Sequence, residues 1–131
     1  MALVKIFKYS LILILLQIAS GTVIALYASS EPALSLGSPE YFALNYTSSF
    51  VISVTLLALL GLGLKANILV HLAVVSAIVF LTGNLISFAL LRELLPLTLY
   101  LIDLAFSVSA VITAWLISWA IINKRASQHG N

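Results

Sequence analysis

The apolar run from Pro96 to Asn123 carries one carboxylate, Asp103, and no lysine or arginine. An ionisable side chain inside a membrane span costs roughly 2.5–3.5 kcal/mol on insertion scales, so such residues face a protein interior and mark functional sites. A carboxylate in this setting is suited to holding a proton or a cation. Asp103 is therefore the first candidate for a functional residue.

Three amide side chains accompany it, and Gln17, Asn45 and Asn84 each lie in a different apolar stretch. Counting about 1.5 Å per residue puts Asn45, Asn84 and Asp103 in one half of the membrane and Gln17 near its midplane. If all four turn inward, they form a polar cluster. For the amides alone, a bond to a neighbouring helix, worth about 0.6 kcal/mol, is the simpler interpretation. For Asp103, the corresponding interpretation without a functional role is a protonated carboxyl, or one held by hydrogen bonds from Asn or Tyr side chains.

Other chemistry is sparse. His71 is near the start of the third apolar stretch, where a snorkelling or capping role is favoured over a haem or metal ligand. The chain has no cysteine, and no second intramembrane carboxylate accompanies Asp103. No catalytic motif is present. We predict no catalytic residue, no metal and no cofactor, with haem as the alternative.

The composition identifies the kind of element that must position these residues. Of 131 residues, 63% are hydrophobic and 8% are charged, against about 25% charged in soluble domains. Four stretches reach the roughly 20 residues that cross a bilayer as helix. They cover about 6–28, 41–64, 67–90 and 96–122. We predict a single all-α integral membrane domain over 1–131, in which four transmembrane helices form an up-down-up-down bundle.

The positive charges predict the orientation. With alternating spans, one arginine, Arg92, falls on the side of the 29–40 and 91–95 loops. The other five cations share the opposite side: Lys5, Lys8, Lys65, Lys124 and Arg125. The positive-inside rule puts that side and both termini in the cytoplasm. A cleaved signal peptide over 1–28 is the less favoured alternative, because the apolar run is long for one. The net charge of +2 reflects topology and anionic lipid headgroups, so we expect no nucleic-acid partner.

Small residues indicate how the helices meet, because they let backbones approach closely in lipid. Gly21 and Ala25 share a face of the first span. On the fourth, one stripe is Ala105, Ser109 and Thr113, and a second, about 100° around, includes Ala110 and Ala114. Two stripes on one helix predict contacts on two sides, including self-association or assembly with other membrane subunits.

The chain also suggests an internal repeat. Gly21 and Gly83 each precede a similar tetrapeptide, and Asn45 and Asp103 each open a serine-bearing helix. Two helix hairpins of the same sense would be related by a two-fold axis along the membrane normal. Chance similarity between apolar helices is the alternative.

The order of Gln17-Ile-Ala-Ser-Gly21, Phe42-Ala-Leu-Asn45, Gly83 and Asp103 resembles one four-helix half of the heme A synthase family. The resemblance covers nearly the whole chain and implies a haem-binding bundle. It would require histidines where Asn45 and Asp103 stand, and an acidic residue where Phe42 stands. The chain therefore resembles a divergent member of the bundle that has lost the ligands.

Three functions follow as hypotheses. The favoured one is a non-catalytic subunit or assembly partner of a larger membrane complex, such as a respiratory complex. The second is a haem-binding protein or enzyme of the heme A synthase type, with His71 or a partner chain supplying ligands. The third is a small transporter or ion-conducting oligomer that uses Asp103.

Overall fold

The computed structural model describes residues 2–31, 38–64, 66–92 and 96–128. They form four helices: α1 (Ala2–Ser30), α2 (Pro39–Leu62), α3 (Ile68–Leu91) and α4 (Leu97–Gln128). Each helix is long and apolar enough to cross a membrane. Large apolar side chains are exposed along all four, as expected of surfaces in contact with lipid acyl chains. The prediction of an all-α chain with four membrane-length helices is confirmed.

The helices run beyond the apolar stretches that predicted them. α1 begins at Ala2, ahead of the expected residue 6, and α4 continues to Gln128, past the expected residue 122. Apolarity marks the part of a helix that fits the bilayer core, whereas backbone hydrogen bonding continues into polar sequence. Arg125 in the last turn of α4 also complements the negative end of the helix dipole.

Local sequence explains where α2 begins and where α3 begins and ends. Ser38 caps α2 by accepting a hydrogen bond from the Tyr41 backbone N–H at 3.1 Å, and Pro39 follows at the first helical position. Asn67 precedes α3 in the left-handed conformation, with φ of 51°, which asparagine adopts more readily than most residues. Arg92 is also left-handed, and its backbone N–H donates to the Phe88 carbonyl at 2.9 Å. It ends α3 as a glycine C-cap would.

Cross-helix bonds show the direction of each helix. Lys5 Nζ, at the start of α1, donates to the Gly63 carbonyl just after α2, at 2.7 Å. These two helices are therefore antiparallel. Tyr46 bonds Asp103 near the starts of α2 and α4, and Ser118 bonds the Ala58 carbonyl near their other ends. α2 and α4 are therefore parallel.

The neighbours around the bundle run in the order α1, α2, α4, α3. α2 also touches α3 across the middle, whereas the described residues of α1 and α4 make no contact. The suggested repeat relates α1 to α3 and α2 to α4. A two-fold axis with this relation would exchange the α1–α4 pair with the α2–α3 pair, so both pairs would touch or neither would. The described packing does not show the two-fold relation that the repeat suggested.

One half of the bundle is densely packed. The largest fully buried side chains come from all four helices and lie in the half that contains the connection between α2 and α3: Leu13, Leu57, Leu60, Leu72, Val75 and Ser118. We call this half the packed end. A Cβ atom added to Gly61 would overlap Ser118 Oγ and lie 3.0 Å from Ser118 Cβ. α2 and α4 therefore approach at the packed end as closely as glycine allows.

The two small-residue stripes of α4 have different environments. Ala110 and Ala114 are buried, at 3% and 0% exposed, and belong to the core together with Leu57 and Ala58. Ala105 and Ser109 are exposed, and Thr113 is half-buried. Of the contacts on two sides that the stripes predicted, the Ala110–Ala114 stripe makes one within this chain, so assembly with another chain through Ala110 and Ala114 is not supported. On α1, Gly21 and Ala25 are half-buried.

Candidate functional site

A cavity of about 370 Å³ lies between the helices, and all four contribute to its wall. We call it the chamber. Gln17, Asn45, Asn84 and Asp103, the four residues of the predicted polar cluster, all line it. The remaining polar lining consists of one tyrosine and five serines: Tyr46, Ser49, Ser53, Ser76, Ser87 and Ser107. Leu13 and Leu57, which belong to the packed end, also line it.

Asp103 has one hydrogen-bond partner among the described residues. Its Oδ1 accepts from the Tyr46 hydroxyl at 2.7 Å, which joins α4 to α2. The Tyr46 ring lies 4.9 Å from the Phe106 ring, and Phe106 lies 6.1 Å from Phe50. No lysine, arginine or histidine lines the chamber within the described parts of the chain. The carboxyl is thus oriented by a tyrosine and faces a space without a protein cation.

Gln17 connects α1 to α2 on the opposite wall. Its Nε2 donates to Ser53 Oγ at 3.0 Å, and Ser53 in turn donates to the Ser49 carbonyl at 2.7 Å. The Ser20 and Ser48 hydroxyls share a further bond of 2.6 Å between the same helices. Gln17 therefore bonds across to a neighbouring helix, through a side chain.

The two asparagines behave differently from Gln17. Asn84 Nδ2 donates to the Phe80 carbonyl of its own helix at 2.8 Å. The Asn45 side chain makes no hydrogen bond to another described residue, and a methyl group on Gly21 would lie 3.7 Å from its Oδ1. Neither amide joins two helices. Asn45 leaves its donors and acceptor available to the chamber.

His71 lies away from the chamber, in the first turn of α3. Its Nδ1 donates to the Asn67 carbonyl at 2.8 Å, and the same carbonyl accepts the His71 backbone N–H at 3.2 Å. Within residues 2–31, 38–64, 66–92 and 96–128, no group of three or more His, Cys, Asp or Glu side chains is placed to hold a metal ion.

The donors around the chamber do not fit a haem. Where the resemblance to heme A synthase would require histidines, the wall presents the amide of Asn45 and the tyrosine-bound carboxyl of Asp103. Neither supplies the imidazole nitrogen that ligates haem iron in those enzymes. The described wall is therefore suited to a ligand held by hydrogen bonds and charge, and not to a haem of that type.

A second, apolar cavity of about 510 Å³ lies between α3 and α4, lined by residues such as Leu69, Leu81 and Val108. Ser76, Phe80 and Ser107 line both this groove and the chamber. A single layer of side chains therefore separates the apolar groove from the polar chamber at this point, and two of these side chains are serines.

Tyr46 and the chamber serines were not among the site residues predicted from the sequence. Their spacing contained the signal: Tyr46, Ser49 and Ser53 recur every three or four residues along α2, as do Ser76, Phe80, Asn84 and Ser87 along α3. Such spacing places side chains on one helix face. Serine is so common in membrane helices that the pattern did not stand out from ordinary packing.

Comparison with protein-family models, with curated proteins and with solved structures finds no match for this chain. The groups of the chamber are therefore the guide to its chemistry. The described wall offers one carboxyl, unpaired amide and hydroxyl groups, and aromatic rings. These groups are suited to binding and orienting a polar molecule.

Proposed function

We propose that this chain is a small transport protein of the membrane, whose chamber receives a polar, non-anionic solute and whose Asp103 is the charged contact. One observation supports this most directly: all four helices contribute polar groups to a single cavity that contains the one carboxyl of the membrane-spanning run. Its volume of about 370 Å³ falls in the range of small-molecule sites.

The energetics of packing favour this over a purely structural bundle. Side chains that line an open space between helices lack the dispersion contacts that close packing would give them. Unpaired polar groups add a cost unless water or a solute satisfies them. A bundle needed only as a subunit would gain stability by filling this space with leucine or phenylalanine. The polar lining thus supports a role that requires the space.

Cysteine accessibility tests this proposal, because the native chain has no cysteine. Ser49→Cys and Ser87→Cys place thiols on the chamber wall, and Ser127→Cys places one at an exposed position near the end of α4. We expect both chamber thiols to react with water-soluble methanethiosulfonates. For each thiol we compare the rate of reaction with the trimethylammonium reagent to the rate with the sulfonate reagent. This ratio should be about tenfold higher at the chamber positions than at Ser127→Cys, because a nearby carboxylate attracts cations.

Two controls accompany the test. Adding Asp103→Asn should abolish the charge preference while leaving both thiols reactive. Ser109→Cys, exposed on the outside of α4, should stay unreactive, since apolar surroundings keep a thiol protonated. If neither chamber thiol reacts, water does not reach the chamber and the proposal fails.

A second proposal, a subunit or assembly partner of a larger membrane complex such as a respiratory one, is favoured by a specific feature of α4. Ala105 and Ser109 are exposed at four-residue spacing, which is the pattern of close helix–helix contacts in lipid. The two proposals are compatible, because the chamber lies inside the bundle and these residues lie on its outside.

We also propose that the chain resides in the cell membrane with both termini in the cytoplasm, from the charge bias described above. Cysteines introduced singly at Ser30 and Ser127 test this, since both positions are exposed. An impermeant maleimide added to intact cells should label Ser30→Cys only, and Ser127→Cys should require permeabilised cells. Labelling of both from the same side would contradict the orientation.

A further inference from the structure

The charge of the chamber restricts what it can bind. Asp103 Oδ1 is engaged by Tyr46, whereas Oδ2 accepts no hydrogen bond from another described residue. A carboxylate can accept bonds at about four lone-pair sites, and the described chamber wall carries no cation. A positively charged ligand would complete the site, and an anionic one would be repelled.

The aromatic rings restrict it further. Phe106 follows Asp103 by three residues, so both lie on the same face of α4. Tyr46 and Phe50 meet it from α2, with ring centroids 4.9 and 6.1 Å from that of Phe106. All three rings line the chamber, and the Tyr46 hydroxyl bonds the carboxyl. Aromatic faces attract cations, and aromatic side chains recognise organic ammonium groups in this way.

The donor set and the size of the chamber argue against a bare metal ion. Calcium takes six to eight oxygen ligands and magnesium favours an octahedron of six, whereas the described wall carries one carboxylate. A volume of about 370 Å³ would hold roughly ten waters, far more than one dehydrated ion occupies. Leu13, Leu57 and Val79 extend the lining with apolar surface, which suits carbon substituents on the cation.

The unpaired polar groups are open to this space. Four side chains on the chamber wall make no side-chain hydrogen bond to another described residue. They are the Asn45 amide and the hydroxyls of Ser76, Ser87 and Ser107. Among the described residues that are not exposed, Ser10 Oγ is the one fully enclosed side-chain atom without a partner, and it does not line the chamber. The chamber groups therefore face usable volume and can bond a hydroxyl or carbonyl on the ligand.

We propose that the ligand of the chamber is an organic ammonium cation with apolar substituents, bound with its charge between Asp103 and the Tyr46–Phe50–Phe106 rings. This rests on the proposed function of the chamber and names the class of solute. The carboxylate provides the charge, the rings provide affinity for a poorly hydrated cation, and the amides and hydroxyls orient any polar substituent.

The probe that tests this is benzyltrimethylammonium, whose size suits the chamber, with benzenesulfonate as the oppositely charged comparison. Isothermal titration of the purified full chain in nanodiscs should show saturable binding of the cation and none of the anion. Asp103→Asn should weaken binding by at least about tenfold, the loss expected for one charged contact. Phe106→Leu should weaken it by about twofold to thirtyfold.

Two variants serve as matched controls and should bind as the wild type does. Glu40→Gln removes an exposed carboxylate near the start of α2, and Phe88→Leu removes an exposed ring on α3; neither residue lines the chamber. If Asp103→Asn binds the cation as tightly as the wild type, the assignment is wrong. If the wild type binds no cation although the Ser49→Cys and Ser87→Cys thiols react with water-soluble reagents, the ammonium class is overturned and the chamber keeps its proposed function. If binding and thiol reactivity both fail, both proposals fail.

Discussion

Replacing Gly61 by alanine is expected to push α2 away from α4 and to lower the free energy of unfolding by about 1–3 kcal/mol. The new Cβ atom would overlap Ser118 Oγ and would lie 3.3 Å from Ile68 Cγ2. Ser118 cannot easily turn aside, because it is fully buried and its hydroxyl bonds the Ala58 carbonyl of α2 at 3.1 Å. Thermal unfolding of the detergent-solubilised chain measures the effect.

Gly83→Ala is the matched control for this change. Gly83 also lies inside a helix, but a Cβ atom there meets nothing within 4 Å. The control should be neutral or slightly stabilising, since alanine is favoured over glycine in helices by about 1 kcal/mol. Equal stability of the Gly61 and Gly83 variants would show that the close approach of α2 and α4 contributes nothing specific.

The second large effect is expected for Ala114→Leu. Ala114 is 0% exposed and lies in the core with Leu57 and Ala58, so three additional carbon atoms must displace packed neighbours. We expect a loss of about 1–3 kcal/mol in the free energy of unfolding. Resistance to unfolding by a denaturing detergent, followed by helix content, is a suitable measurement.

Ala105→Leu is the corresponding change on the exposed stripe of α4. It should leave unfolding unchanged while weakening association with another chain or with a second copy, because added bulk prevents close approach of helix backbones. Crosslinking in the native membrane separates the two effects. A destabilised Ala105 variant, or a fully stable Ala114 variant, would contradict the division of α4 into an internal and an external face.

The sequence was most informative where membrane physics leaves few alternatives. Long apolar stretches must become helices because a bilayer provides no hydrogen-bond partners for the backbone, and all four were predicted. Gln17, Asn45, Asn84 and Asp103 were grouped by the same reasoning, because polar side chains avoid lipid. All four line the chamber.

The sequence was least informative about which helices touch. In a soluble protein an apolar stripe identifies the buried face of a helix, but in this chain lipid-facing and core-facing positions are equally apolar. The neighbour order α1, α2, α4, α3 therefore could not be predicted, nor could the burial of Ala110 and Ala114 in preference to Ala105 and Ser109. A hydrogen bond from an asparagine or a tyrosine was one alternative for Asp103, but the sequence did not indicate that Tyr46 was the partner.

The contrast between the packed end and the chamber has a consequence for how this protein can change over generations. At the packed end a single added atom, as at Gly61, meets a neighbour at once, so few substitutions there preserve the fold. On the chamber wall, Ser76, Ser87 and Ser107 make no side-chain hydrogen bond to another described residue, so a change at these positions breaks no such bond between helices. Substitutions at these serines can therefore alter the chemistry of the chamber at a smaller cost to fold stability than substitutions at the packed end.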